Sequence, residues 1–431
     1  MLKKILNKLL SFFSKKILNK YHPDIVGITG SVGKTSAKEA VARILASKFN
    51  VRATSKNYNN EIGVPLTIIG SIKSPGRSVL GWAGVFGKAV RLLFLRDAEY
   101  PKILVLEMGA DKPGDIQYLT ELAPCKVGVL TFISHAHTEF FKTIKKIAQE
   151  KRVIISHLKK DGFAVLNYDS EAVMENAEAT MAEKITYGTK EGADLQATDV
   201  NIITGREEGR PMGLNFKVNY KGNSVPVFLT GIISSRFIHA ALAGLSVGVV
   251  YGINLVEGAE ALRALEPIAG HLNPLSGIKN SLIIDDTYNS SPEAVKAALE
   301  TLSQIKVGAG KERYAVLGDM LELGPETETA HREVGFRVAE LGVDCLITVG
   351  EASKGTASAA REAGLDEHRV VSFADSVSAG KFLQEIMKEG DVILVKGSQG
   401  LRMEKIEKEV MAEPLKAKEL LVRQGEEWEK R

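Results

Sequence analysis

A glycine-rich turn between an apolar run and a helical pattern carries the strongest chemical signal in the sequence. The run Ile25–Ile28 predicts a buried strand, and the turn Gly30–Gly33 leads directly to Lys34 and Thr35. Backbone N–H groups in such a turn, together with the positive end of the next helix, bind phosphate. The lysine can reach terminal phosphates and the threonine hydroxyl can ligate Mg²⁺. We therefore predict a phosphate-binding loop formed by Gly30, Ser31, Val32, Gly33, Lys34, Thr35 and Ser36.

The spacing of this motif is GxxGKT, because Ile28 stands where the standard phosphate loop has its first glycine. The strand, turn and helix pattern required by the motif is nevertheless present. The alternative is a surface turn that precedes an ordinary helix.

Polar residues also stand at the ends of two other strand patterns. Glu107 ends the apolar run Ile103–Leu106, where a doubly wound sheet places its ligand, and a carboxylate there can hold Mg²⁺. His135, His137 and Glu139 follow another strand pattern and could ligate a metal or form only a polar loop.

One lysine falls inside an apolar helical stripe. Lys151 shares its stripe with Ile147, Ile154 and Ile155. A lysine in that position points inward or extends its ammonium to solvent. The sequence leaves both alternatives open.

Two acids, Asp285 and Asp286, end an apolar run in the second half of the chain. Tyr288 and Asn289 follow, and then a Ser/Pro helix start. This segment could contact a nucleotide, or it could be a helix cap without a ligand.

The elements that must position these residues alternate between strand and helix patterns. Predicted strands are Val26–Thr29, Val51–Thr54, Ile103–Glu107, Val127–Ile133 and Phe163–Asn167, and predicted helices are Lys34–Phe49, Asp115–Ala123 and Lys142–Leu158. A hairpin is predicted between 215 and 229, followed by a helix and by a linker at 265–274. A second series of strand patterns starts near Ser281.

We therefore predict an α/β fold. It consists of a P-loop central domain with a mostly parallel sheet plus a hairpin-rich part, followed by a smaller Rossmann-like α/β domain.

Composition narrows the class of protein. The chain has 431 residues, of which 44% are hydrophobic and 25% charged, as in globular proteins with two or three domains. The net charge of +3 gives no argument for a nucleic-acid partner. The two cysteines are far apart in sequence, which fits a reducing compartment. No apolar run reaches the roughly 18 residues of a membrane span.

The first 20 residues contain six lysines and no acid, with apolar residues at helical spacing. Such a helix could lie on an anionic membrane surface, or it could pack on the domain with its lysines solvated. A second apolar stretch with basic residues, Val79–Leu95, could pack beside it.

Together these segments resemble the Mur ligase family, the ATP-dependent enzymes that form amide bonds in cell-wall precursors. The resemblance covers roughly residues 25–406. It rests on Thr29–Ser36 (shortened phosphate loop), Asn59–Pro65 (NNxxGxP), Leu106–Ala110 (Mg²⁺-binding Glu), His137–Glu139 (second Mg²⁺), Ile147–Lys151 (carbamylated lysine), Asp285–Pro292 (DDTYNANP), Val316–Gly324 with His331, and Leu394–Ser398. Two of these, NNxxGxP and DDTYNANP, are typical of the family branch that adds D-alanyl-D-alanine.

The resemblance implies that the γ-phosphate of ATP passes to the peptide carboxylate of UDP-N-acetylmuramoyl-tripeptide. The amine of D-alanyl-D-alanine then attacks the acyl phosphate and displaces phosphate. Catalytic roles fall on Lys34, Glu107, His137 and Lys151, and Mg²⁺ ligation on Thr35, Glu107, His137 and Lys151 as a carbamate. Besides the phosphate loop, Asp286, Tyr288 and Asn289 would bind ATP, and Asn59, Asn60, Lys396 and Ser398 would bind the substrates.

The predicted domain limits are a basic amphipathic N-terminal helix at 1–22, a central ATP-binding domain at 23–268, a Rossmann-like ligase domain at 269–410 and a solvated, charged helical tail at 411–431. These enzymes usually begin with a separate UDP-binding domain; because some 22 lysine-rich residues precede the phosphate-loop strand here, we expect the chain to lack that domain. Arg236–Ala240 replaces the usual His-Asn-x-x-Asn run, His271 stands at a usual arginine position, and Lys396–Gln399 replaces KGSR.

The expected protein is a cytoplasmic monomer that uses ATP and Mg²⁺, with peripheral contact to the inner face of the membrane through residues 1–20 left open. Two alternatives remain. One is a Mur-type ligase with a pseudomurein, lipid-linked or other peptide substrate. The other is an inactive membrane-associated scaffold with the same fold.

Overall fold

The computed structural model describes residues 2–55, 58–71, 74–76, 78–133, 143–204, 211–425 and 428. The chain divides into two compact units. Unit 1 comprises Met1–Val200, Phe216–Phe228 and Arg236–Leu265, and unit 2 comprises Asn201–Asn215, Leu229–Ser235 and Glu266–Arg431. No helix of the described residues is both long enough and apolar enough to cross a membrane.

The first sheet has the strand order β2-β3-β1-β4-β5-β6-β7-β8-β9. Its strands are β1 Asp24–Thr29, β2 Val51–Ala53, β3 Ile103–Glu107, β4 Val127–Leu130, β5 Phe163–Asn167, β6 Glu183–Gly188, β7 Leu195–Thr204, β8 Pro211–Tyr220 and β9 Asn223–Thr230. The seven strands β1 to β7 pair with one another in parallel. All residues of β3 and β4 are buried, as expected for parallel strands covered on both faces.

Helices flank this sheet, and a tight turn closes its hairpin. The helices are Leu2–Tyr21, Lys34–Ala46, Gly63–Ile69, Val79–Phe94, Asp115–Leu122, Ile144–Lys151, Val153–Ser156, Glu171–Met174, Arg236–Val250 and Leu255–Leu262. Lys221 and Gly222 join β8 to β9 with positive φ angles of 46° and 79°, the conformation of a type I′ turn. This confirms the hairpin predicted from the period-two pattern.

Unit 2 contains the second sheet, in the order β10-β11-β15-β12-β13-β14. The strands are β10 Asn273–Ser276, β11 Leu282–Asp286, β12 Arg313–Gly318, β13 Cys345–Val349, β14 Val370–Phe373 and β15 Val392–Lys396. Only β10 pairs antiparallel, with β11. The helices are Pro292–Gln304, Thr327–Glu340, Lys354–Glu362, Ser376–Ile386, Glu404–Val410 and Ala417–Leu420. Two apolar clusters fill the space between the sheet and these helices.

The predicted fold class is confirmed, but two local predictions are wrong. The segment 265–274 is not entirely a linker, because β10 begins at Asn273 and adds an edge strand. The tail is not a solvated helix: Ala417 and Leu421 are buried in an apolar cluster, and the α-helix Ala417–Leu420 is one turn long. A few apolar residues among many charged ones are enough to hold this segment on the core.

Candidate functional site

The loop between β1 and the helix Lys34–Ala46 has the form expected of a phosphate-binding loop. Gly33 has a φ of 83°, and the helix begins there without a side-chain cap. Gly30 packs so closely that an added Cβ would lie 1.9 Å from Thr131 Oγ1. Thr131 Oγ1 in turn donates to the carbonyl of Val32 at 2.8 Å. The loop is therefore held by Thr131, the residue that follows β4, and the first N–H groups of the helix are suited to an anion.

Lys34 folds back over this loop. Its Nζ donates to the carbonyls of Gly30 at 2.9 Å and Ser31 at 3.2 Å. Burial lowers the pKa of Lys34, while the negative charges of Glu107 and Asp111 oppose that shift. A cation is thus held directly above the loop that would receive phosphate.

Glu107 lies at the centre of the site. It ends β3 opposite Ile28 of β1 and is 3% exposed. Thr35 Oγ1 donates to Glu107 Oε2 at 3.0 Å, and Asn59 Nδ2 donates to Glu107 Oε1 at 3.1 Å. The fold therefore brings together a hydroxyl, an amide and a carboxylate that are distant in sequence.

The loop that carries Asn59 packs tightly against the segment after β3. Gly109 N donates to the carbonyl of Asn59 at 2.8 Å, and a Cβ on Gly109 would lie 2.9 Å from the Asn59 side chain. Asn60 has a different role, because its Oδ1 accepts hydrogen bonds from the N–H groups of Ile62 and Gly63 at the start of the next helix. Of the two asparagines predicted to bind substrate, only Asn59 contacts the carboxylate.

Lys151 is buried, with an exposed fraction of 5%, so its side chain does not extend to solvent. Burial, reinforced by the positive charge of Lys34, lowers the pKa of Lys151 to about 7, while Glu150 and Asp111 oppose the shift. Glu150 itself accepts from the N–H groups of Gly114 and Ile116, each at 2.8 Å. Lys151 therefore has an appreciable neutral fraction at neutral pH.

The donor set around Glu107 fits Mg²⁺. Hydroxyl and carboxylate oxygens are the ligands this ion prefers, and Mg²⁺ usually takes its other ligands from water and substrate phosphates. Within the described parts of the chain, no three His, Cys, Asp or Glu residues gather as a metal site. His135, His137 and Glu139 belong to 134–142 and lie outside the described residues.

In unit 2, Asp286 and Lys396 form a buried ion pair. They are neighbours on β11 and β15, and Lys396 Nζ lies 2.7 Å from Asp286 Oδ2. The same ammonium donates to the carbonyl of Asn289 at 2.9 Å. Tyr288 remains partly exposed and stacks on His271, with ring centroids 4.7 Å apart. The lysine therefore fixes the loop in which Tyr288 and Asn289 lie.

Ser398 also has local partners. Its Oγ accepts from the N–H of Leu321 at 2.9 Å, and its N–H donates to the carbonyl of Asp319 at 3.0 Å. The residue therefore joins the segment after β12 to the segment after β15.

Several partners of these residues were missed from the sequence. Thr54 Oγ1 accepts from the N–H of Glu107 at 3.1 Å. Arg423 donates to the carbonyl of Thr287 and, at 3.0 Å, to Glu404 Oε2. Because Arg423 and Thr287 are 136 residues apart in sequence, no local sequence pattern predicts their contact.

A histidine and an aspartate meet where the sequence departs from the His-Asn-x-x-Asn run. His239 Nε2 lies 2.7 Å from Asp169 Oδ2, and the N–H and hydroxyl of Thr189 also donate to this oxygen. Burial favours the neutral acid, but these hydrogen bonds outweigh it and hold the pKa of Asp169 below its usual range. The pair ties the start of Arg236–Val250 to the segments after β5 and β6.

Comparison with known proteins places the chain in a family. A family model described as the Mur ligase middle domain matches residues 28–73 and 89–243, and the Mur ligase, glutamate ligase domain matches residues 272–399. The UDP-N-acetylmuramoyl-tripeptide–D-alanyl-D-alanine ligase of Bacillus subtilis is 30% identical over 406 residues, covering 94% of this chain and 80% of that protein. The Escherichia coli ligase of the same name is 29% identical, covering 89% and 75%.

A solved structure agrees with these sequence relatives. The crystal structure of MurF ligase from Thermotoga maritima in complex with ADP has a TM-score of 0.75 and 27% identity, covering 94% of this chain and 83% of that one. The fold, the phosphate loop and the sequence relatives agree, and the chain belongs to the Mur ligase family.

Proposed function

We propose that this Mur ligase uses ATP to join D-alanyl-D-alanine to UDP-N-acetylmuramoyl-tripeptide. The observation that carries the proposal is the arrangement at Glu107, whose carboxylate is held by Thr35 of the phosphate loop and by Asn59 of the NNxxGxP segment. Similarity to ligases of that name over 94% and 89% of this chain supports the same substrates. The product is an amide, and the energy comes from transfer of the γ-phosphoryl group.

In unit 1, the proposed roles are mainly positioning and charge neutralisation. The loop Gly30–Ser36 binds the phosphates through its backbone, and Lys34 neutralises their charge. Thr35 and Glu107 would hold a Mg²⁺, which would screen the negative charge that repels the attacking carboxylate. Asn59 keeps the Glu107 carboxylate oriented and faces the peptide substrate.

Lys151 is proposed to act as a carbamate. A neutral lysine amine adds to CO₂, forms an N–C bond and releases one proton, which converts a potential cation into an anion. Because the pKa of Lys151 is lowered to about 7, part of the amine is neutral at neutral pH, as this step requires. With His137, the carbamate would hold a second Mg²⁺.

In the second predicted domain, 269–410, we propose that Asp286, Tyr288 and Asn289 bind the nucleotide. Lys396 and Ser398 serve the acceptor side. Lys396 contacts Asp286 and Asn289, which supports a role for this lysine in positioning the loop that binds the nucleotide. The domain limits of 23–268 and 269–410 remain predictions.

The finer features of location and assembly are proposals as well. We infer a monomer that works in the cytoplasm, with the basic helix Leu2–Tyr21 in contact with the membrane surface. Nucleic acid has no part in the reaction.

The test is a ligation assay. Purified protein is incubated with Mg²⁺, ATP, UDP-N-acetylmuramoyl-tripeptide and D-alanyl-D-alanine, and the pentapeptide product is sought by mass spectrometry. Lys34→Ala serves as the inactive control. Absence of product from protein that binds ATP would contradict this substrate assignment and would favour a pseudomurein, lipid-linked or other peptide donor. Absence of ATP turnover with every donor would favour the inactive scaffold.

A further inference from the structure

The helix Leu2–Tyr21 is docked on unit 1 by one face only. Leu10 and Ile17 are fully buried in the apolar core of that unit. The opposite face carries Ile5, Leu9 and Phe12, which are all exposed and follow one another at helical spacing. The packing therefore orients the helix and leaves a second apolar stripe facing outward.

A second helix, Val79–Phe94, runs beside the first in the same direction. The rings of Phe13 and Phe86 lie 5.7 Å apart. Seven residues further along, Lys20 Nζ donates to the carbonyls of Leu92 at 2.8 Å and Leu95 at 2.8 Å. The first helix thus caps the carboxyl end of the second, and the two helices pack as a pair.

The second helix also exposes apolar residues. Leu80 and Phe94 are 85% and 82% exposed and lie on the same face as Gly84 and Gly87. Of the nineteen large apolar side chains exposed in the described chain, eight belong to residues 5–12 and 79–95. Such a concentration marks an interaction site rather than the scattered apolar residues of an ordinary surface.

The charge of these helices is equally one-sided. Together they carry eight lysines and arginines and no acid, whereas the formal net charge of the whole chain is only +3. The remainder of the protein is therefore net negative. Lys8, Lys15 and Lys16 are exposed beside the apolar stripe, and Lys16 lies 5.9 Å from the centroid of the Phe12 ring.

We propose that this two-helix surface, formed by the exposed faces of Leu2–Tyr21 and Val79–Phe94, docks on an anionic phospholipid bilayer. Lysines that flank exposed Leu and Phe side chains suit a surface where phosphate groups cover acyl chains. Leu80, Phe94 and Phe12 enter the boundary between headgroups and acyl chains, and the lysines contact the lipid phosphates. The inference deepens the membrane contact proposed above for Leu2–Tyr21, and it does not depend on the ligase reaction, since it concerns a different ligand.

Flotation with lipid vesicles tests the proposal. The full chain is mixed with vesicles of phosphatidylglycerol and phosphatidylcholine in equal parts, or of phosphatidylcholine alone, at low and high salt. We expect binding to the anionic vesicles that weakens as salt rises. Full recovery in the unbound fraction with anionic vesicles, or equal binding to both compositions, would overturn the proposal.

Two variants and their matched controls separate the contributions. The double variant Leu80→Ser/Phe94→Ser should lower the partition coefficient for anionic vesicles at least about tenfold. The control is Met181→Ser/Leu415→Ser, which changes two residues that are 81% and 98% exposed elsewhere and should leave the coefficient unchanged. Circular dichroism and ligation of water-soluble substrates without vesicles confirm that the variants are folded. Wild-type partition of the Leu80/Phe94 variant would overturn the insertion of apolar side chains.

Charge is tested in the same way. Replacing Lys8, Lys15 and Lys16 by Gln should lower binding about a hundredfold, whereas the same change at the exposed Lys145, Lys159 and Lys160 should have little effect. If both sets of variants lose vesicle binding equally, binding depends on the overall charge of the protein and not on this surface, and the assignment is overturned. Self-association that the Leu80/Phe94 variant abolishes, without vesicle binding, would assign the surface to a second copy of the chain instead.

Discussion

The hydroxyl of Thr35 donates to the carboxylate of Glu107 over 3.0 Å, although 72 residues separate the two in sequence. The other carboxylate oxygen accepts from Asn59. Because both oxygens accept hydrogen bonds from neighbours, the orientation of the carboxylate is fixed by the protein. Preorganised charge is usually the largest single contribution of a protein to catalysis, and phosphoryl transfer depends on it together with positioning.

Glu107→Gln should lower kcat/KM on the order of 10²–10³-fold, because a neutral amide cannot hold Mg²⁺ as a carboxylate does. We also expect the Mg²⁺ concentration for half-maximal ligation to rise. Steady-state assays over a Mg²⁺ series measure both effects. A variant with the Mg²⁺ dependence of the wild type would show that Glu107 only supports the loop containing Asn59.

Lys34→Ala should remove ATP turnover while leaving the fold intact. Among the described residues, the hydrogen bonds of Lys34 Nζ go to carbonyls of its own loop, so their loss disturbs no other element. The expected loss in kcat is again on the order of 10²–10³-fold. Lys48→Ala is the matched control, because Lys48 forms an exposed pair with Glu257 next to the same helix. Turnover at the wild-type level in Lys34→Ala would contradict the phosphate-loop assignment.

Lys151→Ala should abolish ligation, and added short-chain carboxylates should restore part of it by replacing the carbamate. Because the pKa of Lys151 is lowered to about 7, its neutral fraction and hence carbamylation should rise as pH increases through that value. Carbon-13 NMR with labelled bicarbonate should show a carbamate signal that Lys151→Ala lacks.

The exposed Lys145 and Lys146 on the same helix are the controls for this experiment. Replacing either by Ala should leave both the signal and the activity unchanged. Full activity of Lys151→Ala without added carboxylate would mean that the buried lysine has a packing function only.

Glu407→Gln should make the protein more stable at neutral pH. Glu407 is fully buried, and burial together with the nearby Asp285, Glu404 and Asp286 raises the pKa of Glu407 well above its usual value. A carboxyl whose pKa is raised on folding contributes stability below its unfolded pKa and loses that contribution as pH rises. Gln keeps the shape and a donor without the titration.

The gain should be absent near pH 4 and should grow above it, by about 1.4 kcal/mol for each unit by which the pKa of Glu407 is raised. Urea unfolding of both proteins at several pH values measures this difference. Glu409→Gln on the same helix is exposed and is the control. A stability difference that does not change with pH would contradict the raised pKa.

The local parts of the site were predictable from sequence. The phosphate loop and the strand end at Glu107 follow from apolar runs and glycine spacing, since neighbouring parallel strands present their carboxyl ends at one edge. The approach of Asn59 to Glu107 was not predictable from pattern alone, because it depends on how two loops pack. The partly neutral Lys151 could likewise be placed in a helix stripe, but its burial depends on the elements that cover it.

The fold class was predictable for a similar reason, and the errors were local. Strand β10 was missed because Pro267 and Pro274 made its surroundings resemble a linker. The burial of Leu421 was missed because one apolar residue in a charged segment gives no periodic signal. Contacts such as that of Arg423 with Thr287 depend on tertiary packing and have no sequence signature.

The most direct test of the proposed reaction follows one oxygen atom. UDP-N-acetylmuramoyl-tripeptide labelled with ¹⁸O in its terminal carboxylate is ligated to D-alanyl-D-alanine with ATP, and the released phosphate is analysed by mass spectrometry. The carboxylate oxygen attacks the γ-phosphorus and leaves with phosphate when the amine forms the amide bond. The account predicts one ¹⁸O in each phosphate released with a ligated product. Unlabelled phosphate, or phosphate released without product, would contradict it.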